Sequence, residues 1–502
     1  MAAADSPLNV LFIAVDDLRP ELSAYGNKEI RSPNIDRLAA SGVVFERAYC
    51  QYSVCNPSRS SLLSGLRPDA TGVRANGLGD FRDKNPDIVT LPQQFKQHGY
   101  VTRAFGKIFH SCFDQAYVGR KLEDRPSWSE APWYGRPQYY FSPEGMAAAR
   151  EAFAAGRVWP RYNRAGGANT PTPERTAAGP DAWQEAFVQV RSTEAPEVPD
   201  SVPYDGQVTV RAIEALRTLQ HQPFFLAVGL MKPHLPFVAP KKYWDLYDRS
   251  KLSLPRPAHA PNDAPAVALP RWAELRGQYS DIPATGPLSE AKIRELIHGY
   301  RACVSYSDAL IGQILGELDR LGLRERTIVV LWGDHGWHLG EQNHWAKATA
   351  FEYANRVPLI VSAPGRKGNG THCERLVELV DVFPSLCELA GLPLPSHLEG
   401  SSFVPLLELP ARPWKSAAFS QVQVGTAEGR SMRTDRYRFT LWNDRKEPEK
   451  TVAIELYDLR SSPSEIENIA GRPGNAALVA ELSAKLRDGW QTVRSEIGGL
   501  AR

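Results

Sequence analysis

Short apolar runs that stop at Asp, Gly or Pro recur along the chain: Asn9–Val15 (NVLFIAV), Val101–Lys107 (VTRAFGK), Phe224–Leu230 (FFLAVGL), Thr327–Trp332 (TIVVLW) and Val357–Gly365 (VPLIVSAPG). Helical patterns lie between them. One follows Ser32-Pro33, a cap and an N1 proline; another covers 204–219; a long one covers Glu290–Leu323, with a break expected near Tyr306. Continuous apolar strands interleaved with helices predict an α/β fold with a large, mostly parallel central sheet, flanked by helices and buried on both faces. After about Pro410 the pattern changes. AAFSQVQV, RSMRTDRYRFTLW and AIELYDL read as antiparallel strands, and a helix over Ala476–Arg494 closes the chain. The expected organisation is a catalytic domain over 1–410 and a smaller C-terminal α+β subdomain with an antiparallel sheet over 411–502. Two stretches, 111–203 and 248–288, are rich in Pro and show little periodicity. They read either as walls of a substrate pocket or as plain surface insertions.

Composition narrows the function classes. The 502 residues carry 59 Lys+Arg against 57 Asp+Glu, a formal charge of +2, which argues against a nucleic-acid partner. Six cysteines are too few for a disulfide scaffold, and no C-x-x-C pair suggests a zinc knuckle. No apolar stretch is long enough to span a membrane. The N-terminus MAAADSPLNV lacks a signal-peptide pattern. The expectation is a cytoplasmic protein, or a periplasmic or secreted one whose leader has been removed.

The candidate chemistry sits where apolar runs end. Asp16-Asp17 follows the first run and Asp334-His335 the fourth. In open α/β sheets, ligands bind beyond the carboxyl ends of the strands. Adjacent carboxylates there repel unless neutralised, and a divalent cation is the simple solution. Cys55-Asn56-Pro57-Ser58-Arg59 opens an apolar-faced helix; with Pro57 at N1, Cys55 lies near a helix N-terminus that attracts anions. Lys107 with His110, Lys232 with His234, and Lys347 also follow strand ends or the Asp334-His335 turn. Each alone reads as a solvated loop residue. Together, cations and a metal around a tetrahedral oxyanion are what sulfuryl or phosphoryl transfer needs.

These ordered motifs resemble the type I, formylglycine-dependent sulfatase family of the alkaline-phosphatase superfamily, and within it the iduronate-2-sulfatase branch. The matching segments are NVLFIAVDDLRPELSAYGN, SPNIDRLAASGVVFERAYCQYSVCNPSRSSLLSG, GYVTRAFGKIFH, FFLAVGLMKPHLPF, GDHGWHLGEQNHWAK and LYDLRSSPSEIENIA. The resemblance implies hydrolysis of a sulfate ester, on a sulfated uronic-acid-type sugar or a small sulfate ester. It implies that a maturing enzyme converts Cys55 to Cα-formylglycine, whose gem-diol attacks sulfur and forms a covalent sulfate ester. Asp16, Asp17, Asp334 and His335, with residue 55, would hold one divalent metal, Ca²⁺ or alternatively Mn²⁺ or another ion. Arg59, Lys107 and Lys347 would balance charge, His234 would protonate the leaving oxygen with Lys347, and His110 would strip the second diol proton. The alternative is a phosphonate or phosphate-ester hydrolase on the same site. The sequence departs from the family pattern at Asn56 and at Leu63-Ser64-Gly65-Leu66.

Overall fold

In a computed structural model, residues 7–76, 81–110, 123–136, 138–155, 188, 190–271 and 274–500 are described, the side chains of 497–500 excepted. About half of the 111–203 stretch therefore lies outside the described residues, and so does Cys112. In chain order, the large sheet comprises β1 (Asn9–Val15), β2 (Val43–Tyr49), β3 (Val101–Gly106), β4 (Phe224–Leu230), β5 (Thr327–Gly333), β6 (Arg356–Val357), β7 (Leu359–Ser362) and β8 (Thr371–Glu378). Its spatial order is β6-β2-β7-β5-β1-β4-β3, with β8 also paired to β2. β3, β4, β1 and β5 form a continuous parallel block. β7 runs antiparallel to both β5 and β2.

The parallel block forms because its strands are apolar on both faces. Every residue of β1, β4 and β5 is buried, and each large side chain contributes about 1.5–3 kcal/mol on burial. The helices α1 (Pro33–Ala40), α2 (Cys55–Ser64), α3 (Tyr204–Leu219) and α4 (Glu290–Arg320) connect or cover these strands. Leu216 and Leu315 share one apolar cluster with Ile13 and Val228, while Leu62 and Phe383 join Phe12 and Phe225 on the other side.

Three expectations are corrected. The strand β2 is absent from the predicted runs because Glu46-Arg47 interrupts its apolar pattern; Arg356 pairs with Glu46 at this position. The long helix α4 has no break at Tyr306. Ser305 and Ser307 spend their hydroxyls on the carbonyls of Arg31 and Lys232, so the small polar stretch packs without interrupting the helix. Finally, α2 begins at Cys55 itself, which puts Pro57 two residues inside the helix start.

A second, four-stranded antiparallel sheet follows: β9 (Ala417–Val424), β10 (Ala427–Thr434), β11 (Tyr437–Asp444) and β12 (Thr451–Asp458), in sequential order. The closing helix α5 (Ala476–Leu500) packs on it and kinks at Gly489, whose φ is +77°. Polar contacts bind the two sheets. Ser420 Oγ donates to the Cys50 carbonyl at 2.6 Å, and the Phe419 amide donates to Glu378 at 2.9 Å.

Candidate active site

The register of the parallel block assembles the site. Val15 is level with Gly333 on one side and Leu230 on the other, and Gly106 is level with Gly229. The residues that follow these ends, Asp16-Asp17, Asp334-His335, Met231–His234 and Lys107, thus emerge along one edge. Glycine is required where they crowd. A Cβ on Gly229 would lie 2.0 Å from the Lys107 carbonyl oxygen, and one on Gly336 would lie 2.1 Å from the Tyr353 carbonyl oxygen.

Asp17 has φ +59°, an unfavourable conformation for a residue with a Cβ. Neighbours hold it there. Its amide donates to Asp334 Oδ1 at 3.0 Å, and Tyr300 donates its hydroxyl to the Asp17 carbonyl at 2.9 Å. Asp16, Asp17, Asp334 and His335 are all wholly buried.

Cys55 enters from α2. Its Sγ lies 3.1 Å from His335 Nε2 and 3.4 Å from Lys347 Nζ. Ser58, one turn on, donates its hydroxyl to the Asp334 carbonyl and ties the helix to the end of β5. Lys347 follows a short ribbon that pairs His338–Leu339 with Trp345–Ala346. It lies 2.9 Å from Asp17 Oδ1 and 3.1 Å from Glu274 Oε1.

Arg59 makes four polar contacts. It reaches Asp334 Oδ2 at 2.8 Å and Asp16 Oδ1 at 3.1 Å, and donates to the carbonyls of Lys107 and Ile108 at 2.6 and 2.9 Å. Lys107 lies 2.6 Å from Asp16 Oδ2. Burial alone would raise the Asp16 carboxyl, but Lys107 and Arg59 outweigh it and hold the group well below the ordinary carboxylate range. For Asp17 burial prevails over Lys347, and its carboxyl is pushed up. Burial also drives the Cys55 thiol well above its usual value despite Lys107 and Lys347, so residue 55 as a thiol is a weak nucleophile here.

His234 is carried by the turn after β4. Its Nδ1 lies 2.6 Å from the Leu235 carbonyl, and its Nε2 lies 3.1 Å from Glu274 Oε1 and 3.8 Å from Asp17 Oδ2. Both ring nitrogens face oxygen acceptors, so either can serve as a donor. His110 stands apart. Burial, then Lys107, drives its pKa well below the usual value, and its buried Nδ1 has no hydrogen-bond partner among the described residues. The described contacts do not join it to Cys55.

The donor atoms also fit a divalent cation. His335 Nδ1 lies 2.9 Å from the Gly336 carbonyl and can donate to it, while its Nε2 lies 3.3 Å from Asp17 Oδ1. A neutral ring with that donor turns the Nε2 lone pair toward the carboxylate, and the two can share a cation. Ligand atoms of Asp16, Asp17, Cys55 and His234 form one tight group, and those of Cys55, Asp334 and His335 a second. The sequence pattern did not place His234 among these donors.

A sulfatase family profile matches residues 8–392. The chain belongs to the sulfatase family. It is a sulfuric ester hydrolase, and a second profile, N-sulphoglucosamine sulphohydrolase C-terminal, matches residues 340–492. The chain is similar to iduronate 2-sulfatase of Mus musculus, with 36% identity covering 80% of this chain and 72% of that protein. A sulfatase of Formosa agariphila is 31% identical, covering 93% of this chain and 83% of its own. The structure of the phosphonate monoester hydrolase of Agrobacterium radiobacter superposes with a TM-score of 0.73 at 22% identity, covering 97% of this chain and 96% of that one, and so shares the fold. No described helix of this sulfatase is long and apolar enough to cross a membrane.

Three supports for the site in this sulfatase were not legible in the sequence. Glu274 reaches both Lys347 and His234 from the Pro-rich 248–288 stretch, where no periodicity or motif marks it. In the sequence Lys232 reads only as a strand-end cation. It is buried, and its Nζ donates to the carbonyls of His234 and Pro236 at 2.8 and 2.7 Å. Asp205, at the start of α3, accepts from the amides of Met231 and Lys232 at 2.7 Å each. The turn that presents His234 is thus held from inside.

Proposed function

We propose that this sulfatase hydrolyses a sulfate ester on a sulfated uronic-acid-type sugar, through a formylglycine formed from Cys55 by a maturing enzyme. The observation that carries the reading is the setting of Cys55: a buried first residue of a helix, in contact with His335 and Lys347 beside three buried carboxylates. The similarity to iduronate 2-sulfatase supports the uronic-acid-type substrate.

Asp16, Asp17, Asp334 and His335, with residue 55, would hold one divalent cation, Ca²⁺ by the predominance of hard carboxylate oxygens. When bound, it supplies Lewis-acid polarisation of a sulfate oxygen and lowers the pKa of a hydroxyl beside it. Arg59 orients Asp16 and Asp334 from behind instead of facing the substrate. Lys107 offsets the charge of Asp16. The hydroxyl nucleophile at position 55 attacks sulfur and becomes a covalent sulfate ester, while His234 Nε2, assisted by Lys347, gives a proton to the departing oxygen. His110 takes the proton of the second hydroxyl at position 55; the C–O bond to sulfate then breaks, sulfate leaves and the aldehyde is regenerated.

The test pairs intact-mass analysis of the Cys55 peptide, from chain produced with a maturing enzyme, with sulfate release from defined sulfated uronate saccharides. The reading expects loss of the thiol mass in proportion to activity. A fully active preparation that is all thiol would sink it. A higher kcat/KM for a phosphonate monoester or phosphate diester than for aryl sulfate would favour the alternative activity.

A further inference from the structure

Lys347 Nζ donates to both Asp17 oxygens, at 2.9 and 3.3 Å, and to Cys55 Sγ at 3.4 Å, and it forms an ion pair with Glu274 Oε1 at 3.1 Å. The same Glu274 oxygen lies 3.1 Å from His234 Nε2. One carboxylate oxygen therefore lies at ion-pair distance from both groups that the proposed mechanism turns toward the substrate's ester oxygen. Acceptors therefore crowd the ammonium, and a substrate oxygen that approaches Lys347 competes with them.

The three are not equally replaceable. Asp17 is wholly buried and fixed through its own backbone by Asp334 and Tyr300. Residue 55 is the position of the nucleophile. Glu274 differs on both counts. Its side chain is 21% exposed, and its described ion pairs are the two with Lys347 and His234. The next residue, Leu275, is fully buried and Tyr279 nearly so, which anchors the backbone on the C-terminal side of Glu274. Burial would raise this carboxyl, yet Lys347 and His234 bring it down to about 2, so it is an anion across the neutral range.

We propose that Glu274 is an intramolecular competitor for the substrate's oxyanion, holding His234 and Lys347 until a sulfate oxygen takes its place and thereby setting the affinity of the site for oxyanions. The proposal rests on the roles of His234 and Lys347 given above. A carboxylate suits the task because it accepts charge-assisted hydrogen bonds from the same donors as a sulfate oxygen.

The experiment measures inhibition of 4-nitrophenyl sulfate hydrolysis by inorganic sulfate, using matured wild type, Glu274→Gln and Glu274→Asp. The inhibition constant is expected to fall about three- to ten-fold in Glu274→Gln, with KM falling alongside, since a neutral amide competes less well for two cations. Glu274→Asp keeps the charge but is a methylene too short to span both donors, and is expected to move in the same direction. An unchanged or raised inhibition constant with a lower kcat would overturn the proposal in favour of a positioning role. A fall in Glu274→Gln with Glu274→Asp at the wild-type value would assign the effect to long-range charge and also overturn it. If wild type releases no sulfate at all, the functional reading fails instead, and calorimetric titration of the same three proteins with inorganic sulfate still decides the exchange.

Discussion

Arg59 Nε lies 2.8 Å from Asp334 Oδ2, and neither side chain has any exposure to solvent. The guanidinium also reaches Asp16, so one planar fork joins the residues that follow two neighbouring strands. A point charge cannot replace it, because the four acceptors around Arg59 lie in different directions.

Replacing Arg59 therefore affects folding and chemistry together. Arg59→Ala leaves two buried carboxylates without their shared partner, and we expect a loss of about 3–5 kcal/mol in urea unfolding. Arg59→Lys keeps the charge and loses the fork; a smaller stability loss with sulfate release down at least about 100-fold is expected. Unchanged activity in Arg59→Lys would show that orientation of Asp16 and Asp334 does not matter.

Cys55→Ala is expected to abolish sulfate release, by about 10³-fold or more, while thermal unfolding followed by circular dichroism shifts little. The side chain is small and its contacts are to His335 and Lys347 rather than to the apolar core. Retained turnover would count against nucleophilic attack from position 55.

Removing the metal should expose the cost of the acidic cluster. Dialysis against a chelator is expected to lower both activity and melting temperature, and added Ca²⁺ to restore both, with about one ion per chain by elemental analysis. A chelated enzyme with undiminished activity would exclude a required divalent ion.

Lys232 offers a test of positioning without contact to substrate. Lys232→Met keeps the apolar stem and removes both hydrogen bonds to the turn that carries His234. The expected result is kcat lower by about 10–100-fold with KM little changed. A change confined to KM would mean that the turn serves binding instead.

Glu378 links the two sheets and makes stability depend on acid pH. Burial would raise its carboxyl, but Arg67 and Lys415 bring it to about 2, below the ordinary 4.5 of a free glutamate. A folded-state pKa below the unfolded one gives stability that is present above about 4.5 and lost as pH falls toward 2. Urea midpoints should drop over that window, and Glu378→Gln should flatten the drop while lowering stability at neutral pH. An acid limb unchanged by Glu378→Gln would place the effect elsewhere.

Much of the site was legible because parallel strands share one carboxyl edge. Once NVLFIAV and TIVVLW read as buried strands, Asp16-Asp17 and Asp334-His335 had to emerge on the same side. The order of strands was not legible. The apolar runs of β1, β4 and β5 are alike in character, and only packing makes β1 the centre, with Asp334 next to Asp16. β2 was hidden because Glu46 and Arg47 find partners on neighbouring segments, which a local pattern does not reveal. Glu274 was hidden for the same reason, since its partners are distant in the chain.

The sequence by itself determined the α/β class and the strand-end placement of the acidic pairs, because period and chain direction are local properties. It also carried the ordered motifs of the sulfatase family. Only the tertiary structure decided how the charges pair. Arg59 pairs with Asp16 and Asp334, Lys347 donates to Asp17 and Cys55 and pairs with Glu274, and His110 Nδ1 has no hydrogen-bond partner among the described residues. Those choices depend on which buried groups lie within about 3 Å of one another, since electrostatic interactions out of water are steep in distance and insensitive to separation along the chain.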